Sequence, residues 1–182
     1  YIYENPELGN EEFKSSEKLI SFLQDHNFEI EKEFLGIKTA FRATYDSKKE
    51  GATIGYLCEY DALPEIGHGC GHNMIGSMSA GAGIILSKVL DEVGGKIIVY
   101  GTPAEETNGA KVIFAEEGVF DELDAAMMVH PGDKTLASGK SMALYPLQFT
   151  YKGKTAHAAS CPHEGINALN AIIQLFNGID AL

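Results

Sequence analysis

The sequence has no tryptophan, three cysteines and a single arginine, Arg42. Cys58, Cys70 and Cys161 are too few and too scattered for a disulfide framework, and an odd count leaves a thiol over. A cysteine with a special role is therefore read as a metal ligand or a nucleophile. Positive charge is scarce as well: 14 Lys and Arg stand against 26 Asp and Glu, a formal net charge of −12. With no basic strip to offset it, this charge repels a phosphate backbone, which argues against nucleic acid as a partner. No uninterrupted apolar run reaches the roughly 18–20 residues that span a bilayer, so no membrane partner is expected. The opening YIYENPELG lacks the basic and apolar regions of a signal peptide, and a soluble, cytoplasmic protein is the expectation. There is no initiator Met, and the chain stops inside a helical pattern at FNGIDAL, whose apolar face still needs a partner. The expectation is a piece of a longer protein.

Of the 182 residues 45% are apolar, enough for one packed domain or for one domain and part of another. Phe13, Ser16, Ile20 and Leu23 fall at helical spacing, with Asn27 as a left-handed stop before a β-prone segment at Phe28–Phe34. Strand-like runs follow at Ile37–Tyr45 and Thr53–Tyr60, separated by the turn DSKKEG. Ile75, Met78, Ala82, Ile85 and Val89 then step by three and four into a second helix that ends before Gly94-Gly95, with Gly76, Ala80 and Gly83 permitting close packing. Lys96–Gly101 reads as a buried strand, Ala110–Glu117 as helix and Ala125–Val129 as another short strand. This alternation predicts an α/β fold with a mostly parallel sheet flanked by helices. After Pro146 the pattern changes to a strand at Leu147–Lys152, a loop, and a helix from about Glu164. A boundary near Tyr145 would divide a catalytic domain, 1–145, from the start of an inserted α+β domain, 146–182.

Three polar clusters each follow a buried run: HGCGHN (His68–Asn73), PAEE (Pro103–Glu106), and His130 after AAMMV. In open α/β sheets the loops at the carboxyl ends of the strands converge, so these clusters should meet. Gly69 and Gly71 let the backbone bend to turn Cys70 and His72 toward one centre, and Asn73 is placed to cap the next helix. Thiolate, imidazole and carboxylate together suit zinc, or a related borderline divalent metal, better than calcium or magnesium. Each residue alone is more simply a buried small thiol, a hydrogen-bonded loop histidine or a solvated acid. Their joint occurrence at three successive strand ends favours a metal site. Glu105 and Glu106 are adjacent in an extended segment and should point in different directions, one to the metal and one to water. A metal lowers the pKa of water from about 16 to about 7, and a neighbouring carboxylate accepts the proton. A competing reading makes Cys70 a nucleophile with His72 or His130 as its base, but it leaves the acidic pair without work.

The motifs EYDALPEIGHGCGHN (Glu59–Asn73), GTPAEE (Gly101–Glu106), His130, and KGKTAHAASCPHEGINALNA (Lys152–Ala171), with PELGNEE (Pro6–Glu12), resemble the M20 metallopeptidases, and among them the amidohydrolase branch. The resemblance runs in order along essentially the whole chain. It implies a zinc-peptidase-like catalytic domain with the beginning of a lid. It also implies two divalent metal ions, zinc first, with manganese or cobalt as alternatives. Cys70 would be a thiolate ligand bridging both, and His72, Glu106 and His130 further ligands. Glu105 would be the general base, and Asp61 would orient a ligand histidine. His157 would open the lid domain and be offered to the substrate, often across a homodimer or higher homo-oligomer formed through that domain; as a lone residue it reads equally as a surface histidine. The family's last histidine ligand would lie in sequence beyond Leu182. Gly69 and Asn73 replace the Ala and Asp of many members and, with Glu59-Tyr60, resemble the branch acting on aminobenzoyl-glutamate, acyl-amino acids and unusual dipeptides. The reaction implied is metal-dependent hydrolysis of an amide in a dipeptide or an N-acyl or N-aroyl amino acid. A metal-binding or regulatory relative without turnover is the alternative.

Overall fold

Leu19, Ile20 and Leu23 share one face of the helix Phe13–Gln24 (α1) and, with Ser15 and Ser16, are the residues it buries. Phe13, expected among the periodic residues, instead lies 52% exposed. Asn27 takes the left-handed conformation (φ +66°) expected of a stop, and the Phe28 N–H returns to the Leu23 carbonyl. The computed structural model describes residues 1–137, 142 and 145–181, which fall into two units, Tyr1–Thr135 and Leu136–Leu182.

In the first unit, the extended segment after α1 is shorter than expected, Glu29–Lys32 (β1), because Glu33, Leu35 and Gly36 all take positive φ and turn the chain. The following strand consequently begins only at Phe41 (β2, Phe41–Asp46). Then come β3 (Thr53–Cys58), α2 (His72–Val93), β4 (Lys96–Gly101), α3 (Ala110–Glu116) and β5 (Ala125–Met127). The sheet order is β1-β2-β4-β3-β5. β2 is antiparallel to both its neighbours, while β4, β3 and β5 are mutually parallel. Only β2, then, opposes the direction of the other strands of this sheet; the sheet is mixed, with two parallel and two antiparallel pairings, and the α/β reading of a helix-flanked sheet holds.

β4 shows why the sheet reads as a continuous apolar run. Ile97 and Val99 pack with Leu19, Leu23, Phe41 and Ile84 on one side, whereas Ile98 and Tyr100 pack with Ala110 and Phe114 on the other. Side chains alternate along a strand, and here both faces are covered. α2 is long and apolar enough to cross a bilayer by length and composition, yet it is the core helix: Ile75, Ala80, Ile84 and Leu90 are buried within the unit. Gly76 lets it approach β3, since a Cβ there would meet the Glu59 carbonyl oxygen at 2.8 Å.

In the second unit, the strand expected at Leu147–Lys152 does not form. A strand requires a neighbour to supply its hydrogen bonds. Among the described residues here, only the Lys154–Ile166 bridge does so. The helix expected from about Glu164 starts later (α4, Ala168–Asp180), because the Asn167 side chain accepts the Leu169 N–H at 3.0 Å and fixes the start there. The division after Thr135 precedes the boundary expected near Tyr145; residues 138–141 and 143–144 between them lie outside the described set.

Candidate metal centre

Because β3, β4 and β5 are parallel, their carboxyl ends share one edge of the sheet, and the loops leaving them carry the three polar clusters. From β3 the chain continues through Glu59 and Asp61, both essentially buried at 2% and 1% exposure. Asp61 is the joint of the site. Its Oδ1 lies 2.8 Å from His72 Nδ1, and its Oδ2 accepts the Glu106 backbone N–H at 3.0 Å. Two loops distant in sequence are tied by one carboxylate.

His72 is the first residue of α2 and fully buried. Gly71 precedes it in the left-handed conformation (φ +81°) as the N-cap, and Asn73, expected to cap, lies inside the first turn. The Asp61 bond places the proton on Nδ1, which leaves a lone pair on Nε2. That Nε2 has no hydrogen-bond partner among the described residues. Around it stand Glu59 Oε2 at 3.4 Å, Glu105 Oε2 at 3.7 Å and Glu106 Oε1 at 3.8 Å. His130 is arranged in the same way: Nδ1 is bonded to the Pro131 carbonyl at 2.8 Å, and Nε2 lies 3.8 Å from Cys70 Sγ. The ligand atoms of Cys70, His72 and His130 lie within 4.8 Å of one another, as do those of Glu59, His72 and Glu105. Buried lone pairs and acidic oxygens converging without donors between them are what a cation would satisfy, so the residues fit a metal site.

The same contacts shift the protonation equilibria of the site. Burial works against ionised Asp61, but the His72 and Glu106 hydrogen bonds outweigh it and hold the carboxyl below its usual range. For His72, burial lowers the pKa, while the bond and charge of Asp61, with Glu59 and Glu105, raise it on balance. Burial and the surrounding carboxylates, Glu106 foremost, push the Cys70 thiol up to about 11.

Glu105 and Glu106 do not diverge as the extended-segment argument expects. Ala104 is left-handed (φ +61°) and the pair sits on a turn, so both carboxylates come to His72. They differ in anchoring: the backbone of Glu106 is tied to Asp61, and the Glu105 side chain is more open at 40% against 28%. The turn is held by Glu12, a fully buried carboxylate whose Oε1 accepts the Ala104 N–H at 2.7 Å and whose Oε2 accepts the Thr39 hydroxyl at 2.9 Å. His157 belongs to the second unit, where it is exposed and its Nδ1 accepts the N–H groups of Ala159 and Ser160. His68 Nε2 lies 3.2 Å from the Ile2 carbonyl, away from the cluster's bonds.

Sequence reasoning missed Glu59, Lys111 and Glu12. A signal existed for Glu59: it stands two positions before Asp61 in an extended segment, and side chains at i and i+2 share a side. Lys111, in the first turn of α3, pairs with Glu59, and no local pattern announces it.

The sequence profile of peptidase family M20/M25/M40 matches residues 40–181. A mouse (Mus musculus) Xaa-Arg dipeptidase is 36% identical over all of this chain and 45% of its own length. One of the subunits of p-aminobenzoyl-glutamate hydrolase from Escherichia coli is 35% identical over all of this chain and 41% of its own length. The crystal structure of a dinuclear metal-binding peptidase from the M20 family, from Bacillus subtilis, superposes with a TM-score of 0.60 at 26% identity, covering 69% of this chain and 38% of that one. The chain therefore spans less than half the length of these curated relatives.

Proposed function

The chain belongs to peptidase family M20/M25/M40, and from that premise we propose that it forms most of a site hydrolysing the amide bond of a dipeptide or an N-acyl or N-aroyl amino acid. The observation that carries this reading is the buried His72 Nε2, a lone pair without a donor, faced by carboxylates and close to a thiol and a second imidazole. Its support from outside the chain is the names of relatives, a dipeptidase and an aroyl-glutamate hydrolase, which both cleave amides of amino acids.

Cys70, His72, Glu106 and His130 would hold two divalent ions, with zinc the best match to a mixed thiolate, imidazole and carboxylate set and manganese or cobalt as substitutes. When bound, the ions supply Lewis acidity, polarising the scissile carbonyl and acidifying water. The chain's own residues do the rest. Asp61 fixes the His72 tautomer and, through the Glu106 N–H, the position of the acidic turn. Glu105, the more open of the two acids, takes the proton of the attacking water and delivers it to the leaving nitrogen. His157 is offered to the substrate from the second unit. Pairing of that unit with a second copy is part of the proposal, as the family resemblance implies.

Cys70 as a nucleophile is disfavoured by its surroundings: an activated thiol needs a lowered pKa, and burial among carboxylates raises this one to about 11. A relative without turnover would have no need of the Glu105 carboxylate free beside the ligands. Metal analysis of the whole protein, followed by a screen of dipeptides and acyl-amino acids, tests the reading. About two divalent ions per chain and cleavage of one such class are expected, and a metal-free protein with undiminished amidase activity would refute it.

A further inference from the structure

Glu59 is a buried carboxylate that the reading above leaves without work. Its two oxygens meet different environments. Oε1 is paired with the ammonium of Lys111, and Oε2 has no partner among the described residues. That Oε2 lies 3.4 Å from His72 Nε2, which is likewise unpartnered and buried. Since Asp61 holds the imidazole proton on Nδ1, the contact sets lone pair against lone pair, out of reach of water. With a neutral imidazole, two acceptors face each other where each has lost its hydration, and the arrangement is favourable only with a proton or a metal cation between them. Glu105 Oε2, 3.7 Å from the same nitrogen, closes the triangle, and the three ligand atoms lie within 4.8 Å of one another.

We propose that Glu59 is a further metal ligand of this centre, offering Oε2 to the same divalent cation as His72 Nε2, while Lys111 holds Oε1 and keeps the carboxylate monodentate. Lys111 sets a positive charge against this carboxylate, 2% exposed, without occupying the oxygen that faces the imidazole. Gly76 adds to the fit, because the close approach of α2 to the Glu59 carbonyl brings the start of the helix, and with it His72, against the end of β3. The inference rests on the metal-centre reading and adds a residue to it.

The test uses the whole protein, stripped with chelator and titrated with cobalt(II), reading affinity and the visible absorption of the bound ion. Loss of a partner outside the coordination sphere weakens metal binding by roughly 10–100-fold, so a ligand should exceed that range. The double variant Glu59→Leu/Lys111→Met removes the ion pair as a unit and leaves no buried lysine charge, an exchange that folded proteins tolerate. The expected result is a melting temperature near wild type, with affinity for one cobalt ion lowered by more than about 100-fold and a changed visible spectrum. A double variant that binds both ions within about 100-fold of wild type with the wild-type spectrum would overturn the proposal and leave Glu59 as the counter-ion of Lys111. If the double variant fails to fold, Glu59→Asp is read instead: it keeps the charge but shortens the reach, and an unaltered cobalt spectrum again overturns the proposal. Failure of the wider reading looks different, because the wild-type protein would then take up no cobalt at all.

Discussion

Asp61 Oδ1 lies 2.8 Å from His72 Nδ1, and both groups are removed from solvent. The contact fixes which imidazole nitrogen carries the proton, and the other oxygen of the same carboxylate holds the Glu106 backbone at 3.0 Å. Asparagine at this position can accept from only one of those two donors. Asp61→Asn should therefore weaken divalent metal binding by about 10–100-fold, the usual effect of losing a ligand's orienting partner. Competition with a chelator of known affinity measures it, and an unchanged affinity would remove Asp61 from the account.

The same pair sets a pH signature in the metal-free protein. Asp61 is held below its ordinary value of 3.8, so its contribution to stability is present above that pH and is lost as pH falls through the folded value. His72 is held above its ordinary 6.5, so its contribution is present below that pH and is lost as pH rises through the folded value. The stability gap between wild type and Asp61→Asn, both metal-free, should thus be widest between about pH 4 and 6.5 and should narrow on either side. Thermal melts across that range measure the gap. One that kept widening above neutrality would contradict the pairing.

Glu12 reaches from the start of α1 to the turn that carries the acidic pair, and Glu12→Ala strips the acceptor from the Ala104 N–H and from the Thr39 hydroxyl. Burial raises the Glu12 pKa, so removing the charge returns some desolvation energy, and the net loss should be about 1–3 kcal/mol by denaturant midpoint. Turnover should fall further than stability explains, because Ala104 is left-handed (φ +61°) and its turn aims Glu105. A variant destabilised by this amount but with wild-type kcat under folded conditions would show that the turn holds itself.

The layer architecture was legible in the sequence wherever a single period applied. Ile20 and Leu23 marked α1, and the run at Lys96–Gly101 marked a strand buried on both faces. Convergence of Cys70, His72, the acidic pair and His130 followed from the rule that parallel strands gather their carboxyl-end loops. What escaped notice depends on backbone states and pairings that no period encodes. The left-handed Ala104 turned an extended PAEE into a bend, positive φ values at Glu33, Leu35 and Gly36 shortened two strands, and the Asn167 cap delayed α4. Glu59 and Lys111 stand 52 positions apart, and their pairing exists only once β3 and α3 are packed.

Cys70 separates a ligand from a nucleophile by its reactivity. With metal bound, alkylation of Cys70 should be slow at neutral pH. After chelation it should remain modest at neutral pH and climb steeply as pH rises toward about 11, where the thiol ionises. Peptide mass mapping distinguishes it from Cys161, which lies in the second unit, and from the buried Cys58. Rapid labelling of Cys70 at neutral pH, equal with and without chelator, would restore the thiol-hydrolase reading.

The central claim is that Glu105 moves a proton beside a metal centre that other residues hold. Glu105→Gln in the whole protein tests it most directly, with metal content and turnover read on the same sample. Metal content should stay near wild type while kcat falls by about 10² or more, the scale that loss of a general base produces. A Glu105→Gln protein that retains its metal and turns over at near the wild-type rate would contradict the mechanism.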